Sequence, residues 1–222
     1  MGSNVTLTAS DGFKLGAYRA EPQGKPKGGL VVIQEIFGVN HHIKAVCDRF
    51  AAQGYLAVAP AIFDRYTPTF ETGYSPAEIE HARQYIGKLD FGKVLADTQA
   101  AIDSVKSAGK VGIVGYCLGG SVAFIAACKL GGLSCAIGYY GGMIAKNAEE
   151  KPKVPTTLHF GETDQSIPMS DVEIVKQKRP DVEVYVYPAG HGFSCDERPS
   201  FHEPSHKQAL ERTLAWLKKN VG

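Results

Sequence analysis

Short apolar runs alternating with amphipathic helical segments predict an α/β chain. It should have three layers, with a mostly parallel sheet entered through an N-terminal antiparallel hairpin. Three observations carry this reading. Leu30-Val31-Val32-Ile33 is a continuous β-rich run of the kind found in strands covered on both faces, and residues 55–59, 111–115, 135–139 and 156–160 repeat the type. Helix-period segments separate these runs. The first twenty residues behave differently, because 5–9 and 13–19 alternate in apolar character around Ser10-Asp11-Gly12, the pattern of a hairpin.

In chain order, the connector at 22–29 is rich in turn residues and leads into the first buried run. Ile43, Val46, Cys47, Phe50 and Ala51 keep the spacing of one buried helical face, and Gly54 stops that helix. Ser75-Pro76-Ala77-Glu78 is a capping box with proline at the first helical position, so a helix is expected over 77–88. Further helices are expected over 94–107, 121–130, 171–178 and 203–219. No charge occurs from Val111 to Cys128, long enough to suggest a membrane span. Gly112, Gly115, Gly119 and Gly120 argue instead for a buried strand, a tight turn and a helix. No repeat or linker divides the chain, so 1–222 reads as one domain.

Composition narrows the function. The 222 residues are 44% hydrophobic and 21% charged with a net charge of +1, which suits a full-sized core and offers no long-range field for nucleic acid or an anionic membrane. A small-molecule partner is expected. Cys47, Cys117, Cys128, Cys135 and Cys195 are odd in number and form no CxxC pair, which points to reduced thiols in the cytoplasm. The N-terminus shows no basic stretch followed by an apolar run, so no secretory signal is expected. His41 and His42 are adjacent and diverge on a helix, no P-loop or dinucleotide fingerprint is present, and neither a metal site nor a cofactor is read. His159 lies within a strand run as a core residue, while His41, His42, His81, His202 and His206 read as surface or helix-edge positions.

Ligands of parallel sheets bind beyond the carboxyl ends of the strands. Glu35, Cys117, Asp164 and His191 each follow a strand-like run. Gly115-Tyr116-Cys117-Leu118-Gly119-Gly120 places a cysteine at the centre of a G-x-C-x-G turn between strand and helix, the nucleophile-elbow pattern with a thiol in place of a hydroxyl. The glycines let strand and helix approach while the central side chain stays exposed, and the helix start supplies N–H groups and positive dipole. Cysteine at such a turn is also a common small core residue. Asp164 in Gly161-Glu162-Thr163-Asp164 and His191 in Ala189-Gly190-His191-Gly192 each read singly as loop residues. Together with the elbow they give the order nucleophile, acid, histidine, as expected of a triad.

Gln34-Glu35-Ile36-Phe37-Gly38-Val39-Asn40, Gly54-Tyr55-Leu56-Ala57-Val58-Ala59-Pro60, Val114-Gly115-Tyr116-Cys117-Leu118-Gly119-Gly120 and Gly190-His191-Gly192-Phe193 resemble the dienelactone hydrolase (carboxymethylenebutenolidase) family over nearly the whole chain. The resemblance implies an α/β-hydrolase fold and hydrolysis of activated esters or enol lactones. It makes Cys117 the nucleophile, His191 the base and Asp164 its orienting acid, with Glu35 holding and helping to deprotonate the resting thiol. The backbone N–H groups of Leu118 and Ile36 are the implied oxyanion donors, and Phe37 an implied substrate contact. Two arginines that grip a substrate carboxylate in the family fall here near Ile79 and at Cys195, leaving Arg65, Arg83 and Arg198 as replacements. The alternatives are a thioesterase, peptidase or other acyl hydrolase on the same triad, or a non-catalytic small-molecule-binding or thiol-sensing module.

Overall fold

Alternating side chains bury one face of a hairpin, and continuous apolar runs bury both faces of the strands that follow. In the computed structural model, which describes residues 2–222, β1 (Ser3–Thr8) and β2 (Lys14–Ala20) pair antiparallel with Leu7 opposite Leu15. The six remaining strands are β3 (Gly28–Ile33), β4 (Tyr55–Pro60), β5 (Val111–Tyr116), β6 (Leu133–Tyr139), β7 (Thr156–Gly161) and β8 (Glu183–Tyr187). Every residue of β3, β4, β5 and β7 is buried, whereas β8 lies at an edge and is only partly covered. The sheet order is β1-β2-β4-β3-β5-β6-β7-β8, with β2 antiparallel to β4 and β3 to β8 mutually parallel.

The helices are α1 (His41–Ala52), α2 (Pro76–Ile86), α3 (Phe91–Val105), α4 (Leu118–Lys129), α5 (Met169–Lys178) and α6 (Glu203–Asn220). Alternate side chains of β3 serve two cores. Leu30 and Val32 join Val46, Phe50 and Leu217 beneath α1 and α6, while Val31 and Ile33 join Ala101, Ile102, Val122 and Ala126 beneath α3 and α4. The capping box of α2 forms as the sequence predicts: Ser75 accepts from the Glu78 amide and the Glu78 carboxylate accepts from the Ser75 amide. Helix α3 starts three residues before its expected position, because the Asp90 side chain caps it through the Gly92 and Lys93 amides.

Helix α4 also begins three residues early, at Leu118, so the glycines read as a turn are its first turn. Their smallness serves packing. A Cβ on Gly115 would lie 1.9 Å from the Gly119 carbonyl oxygen, and one on Gly119 would lie 2.3 Å from that of Ile33. The uncharged run from Val111 to Cys128 is thus divided between β5 and α4, and no described helix is long and apolar enough to cross a membrane.

Topology fixes where a ligand can sit. The chain leaves β3 for β4 on one side, then crosses back so that β5 lies on the other. The segments after β3 and β5 therefore diverge and open a crevice at the carboxyl edge, with Glu35 on one wall and Cys117 on the other.

Candidate active site

Cys117 stands between the last residue of β5 and the first of α4 with φ 55° and ψ −115°. A non-glycine residue in that region carries strain of about 1–3 kcal/mol, which the packed glycines on either side sustain. The turn lifts the sulfur clear of the sheet. Cys117 is partly exposed, whereas Cys47, Cys128, Cys135 and Cys195 are buried, and all five are free. Burial raises the last three of these thiols to about 11, 12 and 12 respectively.

The loop after β8 brings His191 to this sulfur, with Nε2 3.2 Å from Cys117 Sγ, and Nδ1 lies 2.8 Å from Asp164 Oδ2. Asp164 follows β7 and is held by the chain itself, because its Oδ1 accepts from the Ser166 amide at 2.8 Å and the Ile167 amide at 3.2 Å. Burial disfavours a charge on His191, but the Cys117 sulfur and the Asp164 carboxylate outweigh it and raise the imidazole to about 10. The ring packs against Tyr140, centroids 5.1 Å apart. The three residues that sequence order put in sequence are in space one hydrogen-bonded row.

A cavity of about 270 Å³ opens above the row. Cys117 and His191 lie at its base, and Ile36, Phe37, Ile79, Ile86, Met143 and Ile167 give it apolar walls. Ile36 and Leu118 both line it, and neither of their amides has a hydrogen-bond partner among the described residues. Arg83 and Arg198 supply its cations. Arg65 does not: its guanidinium pairs with Asp97 and Asp11 and lies over the Phe13 ring, so it is withdrawn as a substrate ligand.

Glu35 is buried behind the cavity with 1% exposure, and its contacts differ from the expected one. It makes no hydrogen bond to Cys117. Arg198 donates to Oε1 at 3.1 Å and the Tyr74 hydroxyl donates to Oε2 at 3.5 Å. Tyr74 in turn accepts from Asn40 Nδ2 at 3.0 Å. Burial lowers the Arg198 pKa, yet the pairing with Glu35 more than compensates and leaves it raised. The guanidinium sits 5.6 Å from the Phe37 centroid and 5.8 Å from that of Tyr74.

Sequence reasoning missed Tyr74, Asn40 and the apolar wall from α2. Ile79, Arg83 and Ile86 did carry a signal, being spaced as one helical stripe. It also misplaced His42, which is fully buried on α1. The signal there was its position one turn before Val46 on the apolar face. Glu35, His42 and Cys195 converge, with one ligand atom from each within 4.8 Å of the others.

Comparison with known proteins agrees over nearly the full length. The profile of the dienelactone hydrolase family matches residues 15–221. A carboxymethylenebutenolidase of Pseudomonas putida is 33% identical, covering 96% of this chain and 94% of its own. A Synechocystis protein provisionally named carboxymethylenebutenolidase is 35% identical over 95% of this chain and 94% of its own. The crystal structure of a Klebsiella pneumoniae protein, provisionally named a dienelactone hydrolase, superposes with a TM-score of 0.86 at 30% identity, covering 98% of this chain and 99% of that one. The sheet order, the elbow and the length of these matches lead to one conclusion: the chain is a hydrolase that belongs to the dienelactone hydrolase family and is built on the α/β-hydrolase fold.

Proposed function

We propose that this hydrolase cleaves activated carboxylic esters or enol lactones through an acyl-thioester on Cys117. The observation that best supports this is the unbroken row from Cys117 Sγ to His191 Nε2 at 3.2 Å and from His191 Nδ1 to Asp164 Oδ2 at 2.8 Å, set at the base of an apolar cavity. His191 takes the thiol proton and the sulfur adds to the substrate carbonyl carbon. Negative charge on the carbonyl oxygen falls to the Leu118 and Ile36 amides. The intermediate collapses, the leaving oxygen takes the proton back from His191, and an acyl-thioester remains. His191 then deprotonates a water, which attacks the thioester and restores the thiol. Asp164 keeps the imidazole oriented throughout.

The choice of nucleophile constrains the substrate. A thiolate leaves a tetrahedral intermediate more readily than an alkoxide or an unprotonated amine, so ordinary esters and amides return to starting material. An enolate delocalises its charge and reverses that preference. Arg83, with its side chain 61% exposed and only a 3.9 Å contact to Glu80, is placed to meet a substrate carboxylate. Arg198 is already engaged by Glu35, so Arg83 is the better candidate. The free thiols fit a reducing, cytoplasmic setting.

Mixing with a slow enol ester and mass analysis of the quenched protein should show one acyl group on Cys117. Cys117→Ala should turn over at least roughly a thousandfold more slowly, and His191→Ala should slow both halves. An acyl group on Cys195 would overturn the assignment.

A further inference from the structure

Behind the cavity, Glu35, His42 and Cys195 bring a carboxylate, an imidazole and a thiol together from three separate segments, and all three residues are buried. Their ligand atoms lie within 4.8 Å of one another. One of them keeps a buried polar atom that the fold leaves unused. His42 Nδ1 lies 3.1 Å from Asp196 Oδ1, and Asp196 is itself held by Arg49 at 3.0 Å, while His42 Nε2 is buried without a hydrogen-bond partner among the described residues. A ring whose Nδ1–H is donated to a carboxylate keeps its lone pair on Nε2, the tautomer and outer-shell contact typical of metal-bound histidines. Leaving that buried lone pair unsatisfied is unfavourable, and a ligand at this point would remove the penalty.

We propose that Glu35, His42 and Cys195 form a binding site for a zinc-class divalent cation, with Asp196 orienting His42. The donor set decides the class of ion. Mixed oxygen, nitrogen and sulfur ligands suit Zn²⁺ and its substitute Co²⁺, whereas Mg²⁺ and Ca²⁺ take oxygen shells. Ligand atoms around Zn²⁺ stand roughly 3.3–3.7 Å apart, so loading needs at most a small closure of the site. Three ligands leave one place in a tetrahedral shell. On binding, the cation displaces the Cys195 thiol proton to solvent, and the resulting thiolate and the Glu35 carboxylate face both the ion and the Arg198 guanidinium. No spacing in the sequence announces the site, because its ligands meet only in the folded chain.

Loading would tie up the Glu35 carboxylate that otherwise pairs with Arg198. On the reading of Glu35 as the group that manages the resting thiol, an occupied site holds the enzyme inactive. Binding itself does not depend on that reading.

Cys117 and His191 are a competing metal trap, so the test is made on Cys117→Ala, which removes it. Zn²⁺ titration should show one ion per chain and a raised melting temperature. Co²⁺ should give thiolate-to-cobalt absorption in the near ultraviolet. Adding Cys195→Ala should abolish that absorption, and adding His42→Gln should weaken binding roughly 100-fold or more, with unchanged circular dichroism in the metal-free proteins. The second variant decides the matter if the first fails to fold. Failure of Cys117→Ala to bind either metal, or full binding retained without Cys195 or His42, would overturn the proposal. Because Cys117→Ala carries no nucleophile, either outcome leaves the acyl-trapping experiment on the wild type unaffected.

Discussion

Cys117 and Glu35 illustrate how far a side chain's role depends on what already occupies its partners. The sulfur faces His191 and the carboxylate faces Arg198 and Tyr74, so each has an alternative to the other. If Glu35 restrains the thiol between turnovers, Glu35→Gln should speed iodoacetamide labelling of Cys117 near neutral pH and lower turnover. Unchanged labelling and turnover across pH would remove that role. His159 shows a different constraint. Buried between Tyr187 and Thr213, it is pushed down to about 3 by burial and by Arg212. Between pH 6.5 and 3 the unfolded chain binds this proton and the folded chain does not, so stability falls as pH falls through that window. The loss approaches about 1.4 kcal/mol per pH unit. Urea unfolding at pH 6 and pH 4 should show a wild-type loss about 2 kcal/mol greater than that of His159→Gln. At this scale the hydrogen-bonded row of Cys117, His191 and Asp164 was legible because each residue follows a strand. Tyr74 was not, since a tyrosine in a loop carries no periodicity and its role comes from Asn40 and Glu35.

Helix α2 is the least buried wall of the cavity and the one that meets solvent. Ile79 and Ile86 face the site while Arg83 stands between them at the mouth. Replacing Arg83 with alanine should raise KM severalfold for carboxylated substrates and leave neutral ones unchanged, measured on paired enol esters. An equal effect on both would assign Arg83 to general shape. The sequence showed this helix through its capping box but not which side faced the cavity, because a stripe of two isoleucines and an arginine reads as an ordinary half-exposed face. Helix α4 was misjudged at its start for a related reason. Its glycines follow the rule for turns in isolation and the rule for close packing in the folded chain.

Across the whole molecule, alternation of buried runs and helices was sufficient to anticipate the sheet, since a strand covered on both faces has few other places to go. The contacts that join distant segments were invisible to it. Arg65 binds Asp97 on α3 through two nitrogens, at 2.8 and 2.7 Å, and Asp11 in the first hairpin through two more contacts, at 2.8 and 3.1 Å. The Asp97 side chain is fully buried, so Asp97→Ala would leave the buried Arg65 guanidinium with only the half-exposed Asp11 as its counter-charge. Because Asp11 still pairs with Arg65, a loss of about 2–3 kcal/mol, below that of a fully orphaned buried charge, is expected in urea unfolding, with little change in the acylation chemistry of the surviving folded protein.

The uneven burial of the cysteines makes the native protein, without any engineering, a carrier for site-specific spectroscopy. Four sulfurs are shielded inside the cores or behind the cavity, and the fifth stands at its base. A thiol-reactive fluorophore or spin label therefore has one accessible address, beside His191. Its signal would report directly on what enters the cavity and on movement of α2, with every other cysteine left in place.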